Sequence, residues 1–143
     1  MPRYFTFELA TRMLPRVEEA LREVIDLRLE CRSAEQEIRA AQQRITMLGG
    51  SLGGSRDLIE TRARREASMS LLKQVVEKLQ EAGVLVKDLD RGLVDFPALY
   101  RGNEVYLCWK LGENEIAWWH GVDEGFRGRK PIDAEFLAEL SGE

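Results

Sequence analysis

Apolar residues in the first third of the chain recur at steps of three and four, a spacing typical of an α-helix with one buried stripe. The stripe occupies positions 10, 14, 17, 21, 24, 27, 31, 34, 38, 41, 45 and 48. The pattern predicts a helix over residues 8–48 with a coiled-coil-like seam. Thr6 is a suitable N-cap, and Pro15 predicts a kink or a restart because its nitrogen cannot donate a hydrogen bond to the preceding turn.

A glycine-rich segment ends this helix. Residues 49–55 contain four glycines, which lose too much backbone entropy to continue a helix, so a flexible tip is expected there. A second helix is predicted from about residue 56 to residue 82, with Gly83 as its C-cap. Its apolar positions are Leu58, Ile59, Ala63, Met69, Leu72, Val75, Val76 and Leu79. We therefore expect the two helices to fold back antiparallel as a long hairpin, the stem.

Beyond residue 83 the apolar pattern changes to the two-residue period of strands. The predicted strands cover residues 84–86, 93–96, 104–110 and 116–120. Gly92, Gly102 and Gly112 lie in the turns between them, which favours an antiparallel β-meander. Because both faces of the longer strands are substantially apolar, we expect elements to cover the sheet on both sides.

A last helix is predicted near the end of the chain. Asp133 is its suitable N-cap, and its buried side is expected to hold Phe136, Leu137 and Leu140. The predicted fold is α+β: a long antiparallel helical hairpin with a coiled-coil-like stem, a small antiparallel β-meander and a short C-terminal helix. We expect the stem to cover residues 1–82 and the β module residues 83–143, together as one folded unit.

Composition and charge narrow the classes of function. The 143 residues are 44% hydrophobic and 32% charged, as in one globular domain. The net charge of −4 arises in residues 91–143, where six basic residues face ten acidic ones. No basic stripe is present, so we do not expect a nucleic-acid partner. No apolar run approaches the roughly 20 residues of a membrane span and no secretory signal starts the chain, so a cytoplasmic protein without membrane contact is expected.

The cysteines and the histidine restrict the chemistry further. Cys31 and Cys108 are far apart and in no C-x-x-C spacing, so neither a disulfide framework nor a zinc site of several thiolates is expected. Both positions suit a thiol that behaves as a small apolar group. His120 is the single histidine, which excludes a mechanism that needs two imidazoles. An enzyme is therefore the less favoured interpretation.

Polar residues at the ends of the predicted strands form the candidate site. Candidate ligand-binding residues are Asp95, His120, Arg127 and Arg129. Asp95 and His120 together would make an acid and base pair if they came within hydrogen-bond distance.

The segment from His120 to Glu124 is a candidate metal site. His120, Asp123 and Glu124 offer one nitrogen and two carboxylates, and Asp95 would add a third carboxylate, a set that suits manganese, iron or zinc. The alternative is an ordinary turn, in which His120 bonds a backbone carbonyl, Asp123 shapes the chain and Glu124 is solvated. No cofactor other than such a divalent metal is predicted.

Several motifs of the chain together resemble the bacterial domain-of-unknown-function family 2203. The residues that carry the resemblance are Tyr4 to Thr6, Arg91 to Ala98, Glu104 to Glu113, Trp119, His120, Asp123 and Gly125 to Arg129. The resemblance lies mainly in the C-terminal third. It implies the architecture and the choice of motif residues, and it implies no particular reaction.

Two functional hypotheses follow. The leading one is a homo-oligomerising coiled-coil scaffold or interaction module, a dimer through the stem that also presents a surface to a protein partner. Apolar residues off the narrow seam favour it, namely Ile25, Leu29, Ile59, Leu71 and Val76. The alternative is a ligand- or metal-binding module, with or without enzymatic activity, whose site lies at the sheet rim around Asp95 and His120.

Overall fold

The computed structural model of the protein describes residues 4–49 and 55–141. Helices α1 and α2 span Phe7–Met47 and Ser55–Glu81, and helix α3 spans Ala134–Glu139. The strands are β1 Leu85–Asp88, β2 Leu93–Tyr100, β3 Asn103–Lys110, β4 Trp118–Gly121, β5 Lys130–Pro131 and β6 Leu140–Ser141. The predicted α+β class is confirmed: a long helix with a second helix packed against it, an antiparallel sheet and a short C-terminal helix.

Helix α1 has the predicted N-cap and ends within one residue of the predicted position, at Met47. The backbone N–H of Leu9 donates to Oγ1 of Thr6 at 3.0 Å, which makes Thr6 the cap of the first turn. The helix then runs through Pro15 rather than restarting there. Pro15 is exposed, so water can solvate the carbonyl that proline leaves without a donor. Of the predicted flexible tip, residues 50–54 lie outside the described residues. None of the described helices is long and apolar enough to cross a membrane.

The chain divides into two compact units. One unit comprises residues 1–22 and 76–143, and the other comprises residues 23–75. The predicted boundary after residue 82 separates the helices from the strands. The two compact units are defined instead by which residues contact one another. The start of α1 and the end of α2 contribute to the same apolar core as the strands, because Val17, Leu21 and Leu79 are buried in that core.

The sheet of the first unit has an inner face and an outer face. The strand order is β1-β2-β3-β4-β5, with β6 paired to the edge of β2. The inner face holds Val94, Phe96, Ala98, Val105, Leu107 and Trp109, all of them in the core with the helical residues. Because side chains alternate along a strand, the outer face holds the residues between these, among them Asp95 and Cys108.

Helix α3 covers the inner face. Its cap is Asp133, whose Oδ1 accepts a hydrogen bond from the N–H of Phe136 at 2.8 Å. The Phe136 ring stacks on Tyr100 and Trp119, with ring centroids 4.8 and 4.5 Å apart. Leu137, predicted to be buried, is 38% exposed, so that part of the prediction is wrong. On the outer face, the segment after β4 packs through Arg129, whose guanidinium carbon lies 5.4 Å from the centroid of the Trp118 ring.

The second unit is an antiparallel pair of helical segments. The Arg64 guanidinium on α2 binds Glu30 on α1, with Nε and Oε1 2.6 Å apart, and it also binds Glu37. The Cys31 thiol lies 3.9 Å from the backbone carbonyl oxygen of Arg65, to which it donates. These contacts bring α2 along the predicted seam of α1 within one hairpin.

The predicted buried stripe of α2 is only partly right. Leu58, Leu72, Val75 and Leu79 turn inward as predicted, whereas Ile59, Ala63 and Met69 are exposed. Arg65 is half-buried and Ser68 is buried in their place. Steps of four and three from Leu58 reach Thr61, Arg65, Ser68 and Leu72, so polar residues interrupt the stripe at its middle.

Gly92 illustrates a close approach that the sheet requires. Its φ is +67°, and a Cβ there would lie 2.6 Å from Cβ of Leu111, whose N–H donates to the Gly92 carbonyl oxygen at 2.9 Å. Gly102 has a similar φ of +78° with nothing within 4 Å of such a Cβ. The two positions therefore differ in the room that they leave for a side chain. They share a positive φ, which strains any residue other than glycine.

We therefore expect Gly92→Ala to destabilise the protein by about 2–4 kcal/mol, and Gly102→Ala by about 1 kcal/mol. The difference reports the clash with Leu111, because both variants have the left-handed strain. Urea unfolding of the two variants beside the wild type measures it. Equal losses would contradict the close approach at Gly92.

Candidate metal centre

The turn between β2 and β3 decides which side chains face each other across the sheet. Arg101 and Gly102 have positive φ angles of 51° and 78°, as a two-residue type I′ hairpin turn requires. Tyr100 pairs with Asn103 directly beyond the turn. Every later pair of the two strands follows from this first one, because the register continues without a bulge.

This register brings three different chemical groups together on the outer face. Asp95 pairs with Cys108 across β2 and β3, and Tyr106 pairs with His120 across β3 and β4. Cys108 lies two residues from Tyr106 along β3, so it is the diagonal neighbour of His120 on the same face of the sheet. A carboxyl, a thiol and an imidazole thus converge from three adjacent strands.

The three side chains form a tight and buried group. Nε2 of His120 lies 3.0 Å from Oδ1 of Asp95, and one donor atom from each of the three residues lies within 4.8 Å of the other two. Asp95, Cys108 and His120 are 2%, 0% and 3% exposed. Among the described residues this is the group of His, Cys, Asp and Glu side chains whose geometry suits a metal ion.

The second nitrogen of the imidazole fixes its orientation. Nδ1 of His120 donates to the carbonyl oxygen of Gly121 at 2.7 Å, so the proton on Nδ1 is assigned by that acceptor. Nε2 then faces Asp95 with one proton between the two atoms. Either a carboxylic acid donates to a neutral imidazole or an imidazolium donates to a carboxylate, and the pair has no net charge in both forms.

Burial changes the protonation of the other two groups. Burial raises the pKa of the Asp95 carboxyl, against the opposing effect of His120, hydrogen bonding and Lys87. Burial, and then the charge of Asp95, raises the pKa of the Cys108 thiol to about 12. A thiol with this pKa stays protonated at neutral pH, which makes Cys108 a poor nucleophile as it stands.

Aromatic and basic side chains of the outer face close over the group. The Tyr106 ring meets the His120 ring edge to face, with centroids 5.5 Å apart. Nζ of Lys87 lies 4.8 Å from the centroid of the Tyr106 ring. Tyr106 is itself buried, so it shields the imidazole from water.

Arg129, a predicted ligand-binding residue, is paired within the protein. Its guanidinium donates two hydrogen bonds to the Glu113 carboxylate at 2.9 and 2.7 Å, and a third to the carbonyl oxygen of Cys108 at 3.4 Å. The rings of Trp118 and Phe126 lie 5.4 and 4.6 Å from its central carbon. Arg129 therefore anchors the chain after β4 beside the site, and its charge lowers the pKa of the Cys108 thiol against the larger effect of burial.

The remaining predicted residues lie on the turn after β4. Asp123, Glu124 and Arg127 are exposed. Oε1 of Glu124 accepts hydrogen bonds from the N–H of Gly121 and from Nζ of Lys130. The structure does not bring Asp123 and Glu124 together with His120 into a group of metal ligands. Sequence reasoning treated the three as one site because they are close along the chain.

Cys108 is the functional candidate that sequence reasoning missed. The thiol was interpreted as a small apolar group within a strand, so the residues that face it on the neighbouring strands were not considered. The signal that could have found it is the Arg101 and Gly102 turn, since a two-residue turn at these positions places Asp95 opposite Cys108 by counting.

The fold and the site define an α+β protein in which a buried carboxyl, thiol and imidazole share one sheet face. A family described as "Uncharacterized conserved protein (DUF2203)" matches residues 3–132. The chain belongs to this family, as the resemblance of its motifs indicated. No curated protein and no solved structure matches the chain.

The bond between Asp95 and His120 predicts a contrast between two substitutions. We expect Asp95→Ala to destabilise the ion-free protein by about 2–4 kcal/mol, because a buried Nε2 loses its partner and a small cavity remains. Asp95→Asn should cost less than about 1 kcal/mol, since its amide N–H donates to Nε2 as the carboxylic acid does. Urea unfolding at pH 7 in the presence of a chelator measures both. An Asn variant as unstable as the Ala variant would instead indicate an imidazolium and carboxylate pair.

Proposed function

We propose that the protein is a metal-binding module that holds one divalent transition-metal ion between Asp95, Cys108 and His120. The observation that carries the proposal is the convergence of three different donor atoms within 4.8 Å, all buried. An ion at their centre would bridge β2, β3 and β4, and it would link the three central strands of the sheet.

The donor set indicates the kind of ion. Imidazole and thiolate ligands suit Zn²⁺, Co²⁺ and Fe²⁺, whereas Mg²⁺ and Ca²⁺ prefer oxygen donors. Metal-binding histidines usually donate their other N–H to a carbonyl or a carboxylate, which orients the ring. The bond from Nδ1 of His120 to the Gly121 carbonyl oxygen has this arrangement.

Charge balance also supports the proposal. The ion-free group is neutral, because the Cys108 thiol retains its proton and the Asp95 and His120 pair has no net charge. A divalent ion would replace the thiol proton and the proton between Nε2 and Oδ1, and the carboxylate and thiolate would balance its two charges. The buried site therefore gains no uncompensated charge on binding.

We expect Zn²⁺ and Co²⁺ to raise the melting temperature of metal-stripped protein saturably, and Mg²⁺ to have no effect, because binding to the native state stabilises it. Cys108→Ala and His120→Ala should each abolish the rise. Cys31→Ala is the matched control, since it removes the other buried thiol and leaves the donor set intact. The Co²⁺ complex should show a thiolate-to-cobalt charge-transfer band in the near ultraviolet that Cys108→Ala removes. A saturable rise that survives in both site variants would contradict this site.

Self-association through the helical hairpin is a second candidate function. Leu29, Ile59, Met69 and Leu71 are 56%, 66%, 53% and 48% exposed, which favours a surface that a second copy covers. Cys31, Ala34 and Ile38 of the seam are already buried within one hairpin. A dimer would therefore use the outer positions of the helices. A scaffold role with a protein partner stays a prediction.

Light scattering after size-exclusion chromatography tests this second candidate. We expect twice the chain mass at micromolar concentration, and the monomer mass for Leu29→Glu combined with Ile59→Glu, because two charges in an apolar interface oppose association. Leu137→Glu, an exposed leucine in the other unit, should leave the dimer unchanged. A wild-type monomer at these concentrations would contradict self-association.

A further inference from the structure

The turn after β4 holds the carbonyl group that orients His120. The carbonyl oxygen of Gly121 accepts one hydrogen bond from Nδ1 of His120 at 2.7 Å and another from the N–H of Glu124 at 3.2 Å. The N–H of Gly121 in turn donates to Oε1 of Glu124 at 2.6 Å. Glu124 therefore holds Gly121 from both sides of its Cα, once with its backbone and once with its carboxylate.

Two glycines and a lysine keep the Glu124 side chain against this backbone. A Cβ at Gly121 would lie 2.8 Å from Oε1 of Glu124, and a Cβ at Gly128 would lie 2.6 Å from Cβ of Glu124. Nζ of Lys130 lies 2.5 Å from the same Oε1, and it also lies 4.6 Å from the centroid of the Trp119 ring. Glu124 is exposed, but its carboxylate is held by these contacts, whereas the carboxylate of a solvated turn residue would contact only water.

We propose that Glu124 is a positioning residue for His120 and acts through Gly121. By holding the Gly121 carbonyl oxygen in line with Nδ1, Glu124 keeps the proton on Nδ1 and keeps Nε2 directed at Asp95 and Cys108. Insofar as it concerns ion affinity, this inference rests on the proposed metal site. The effect on the imidazole tautomer is independent of any ion.

A merely structural role predicts a different outcome. If Glu124 only fastens the turn, its loss lowers the melting temperature and leaves both the tautomer and the ion affinity unchanged. If Glu124 positions His120, its loss changes the populations of the two tautomers before any ion is added. The tautomer is therefore the readout that separates the two roles.

Nitrogen-15 NMR of the imidazole provides this readout, and the single histidine makes the signals unambiguous. The primary variant is Glu124→Met, which retains an aliphatic stem against Gly121 and Gly128 and removes the carboxylate. Glu124→Gln is the conservative variant, since its amide oxygen still accepts from the Gly121 N–H. Asp123→Ala is the matched control that removes the neighbouring exposed charge. If Glu124→Met does not fold, Glu124→Ala replaces it.

We expect Nδ1 to be protonated in the wild type, in Asp123→Ala and in Glu124→Gln, and we expect a mixture that includes rings without a proton on Nδ1 in Glu124→Met. In a titration with Co²⁺ alone, Glu124→Met should bind about tenfold to hundredfold more weakly than the wild type. An unchanged tautomer and affinity in Glu124→Met would overturn the inference while leaving the metal site intact. A wild type that binds no Co²⁺ would overturn the metal site, and the tautomer comparison would still decide the role of Glu124.

Discussion

The register between β2 and β3 is the constraint on which the candidate site depends. A slip by one residue would turn Phe96 or Leu107 out of the apolar core and turn Asp95 or Cys108 toward it. The apolar inner face and the Arg101 and Gly102 turn therefore act together. They hold Asp95 opposite Cys108, although neither of these two side chains contributes to the apolar core.

The buried polar group is compatible with this fold because its members satisfy one another. Both nitrogens of His120 have partners, one on Asp95 and one on the Gly121 carbonyl. Protons keep the group neutral, so burial carries little electrostatic cost while all three residues are present. The same property makes the group suitable for a divalent ion, which would exchange for those protons. Stability and proposed function thus depend on the same bonds, and a change at one member affects both.

The two helices show how far periodicity can be trusted. The seam of α1 was predicted correctly from Ala10 to Ile38, with Leu27 half-buried, because steps of three and four along a helix leave one face for burial. Its predicted end at Leu48 is wrong, since that residue is 70% exposed. In α2, the apolar residues were expected to be the buried ones, and this is wrong at the middle of the helix, where Met69 is exposed and Ser68 is buried. Helix α2 has apolar residues on several sides, and only those that face α1 are buried. Which side faces α1 depends on how the two helices pack, and the sequence of α2 alone does not determine that packing.

The sequence by itself determined the fold class, the ends of the two long helices to within one residue and two helix caps, since periodicity, glycine and capping residues act over a few neighbouring positions. It did not determine the ends of the strands, because β2 runs to Tyr100 and not to residue 96. It also indicated that Asp95 and His120 could meet, and they are hydrogen-bonded in the fold. Only the tertiary structure decided that Cys108 lies beside this pair, that Arg129 binds Glu113, and that the Glu124 carboxylate accepts a hydrogen bond from the Gly121 N–H. These relations join residues on different strands and turns. Strand register and side-chain direction decide them, and closeness along the chain is no guide to either.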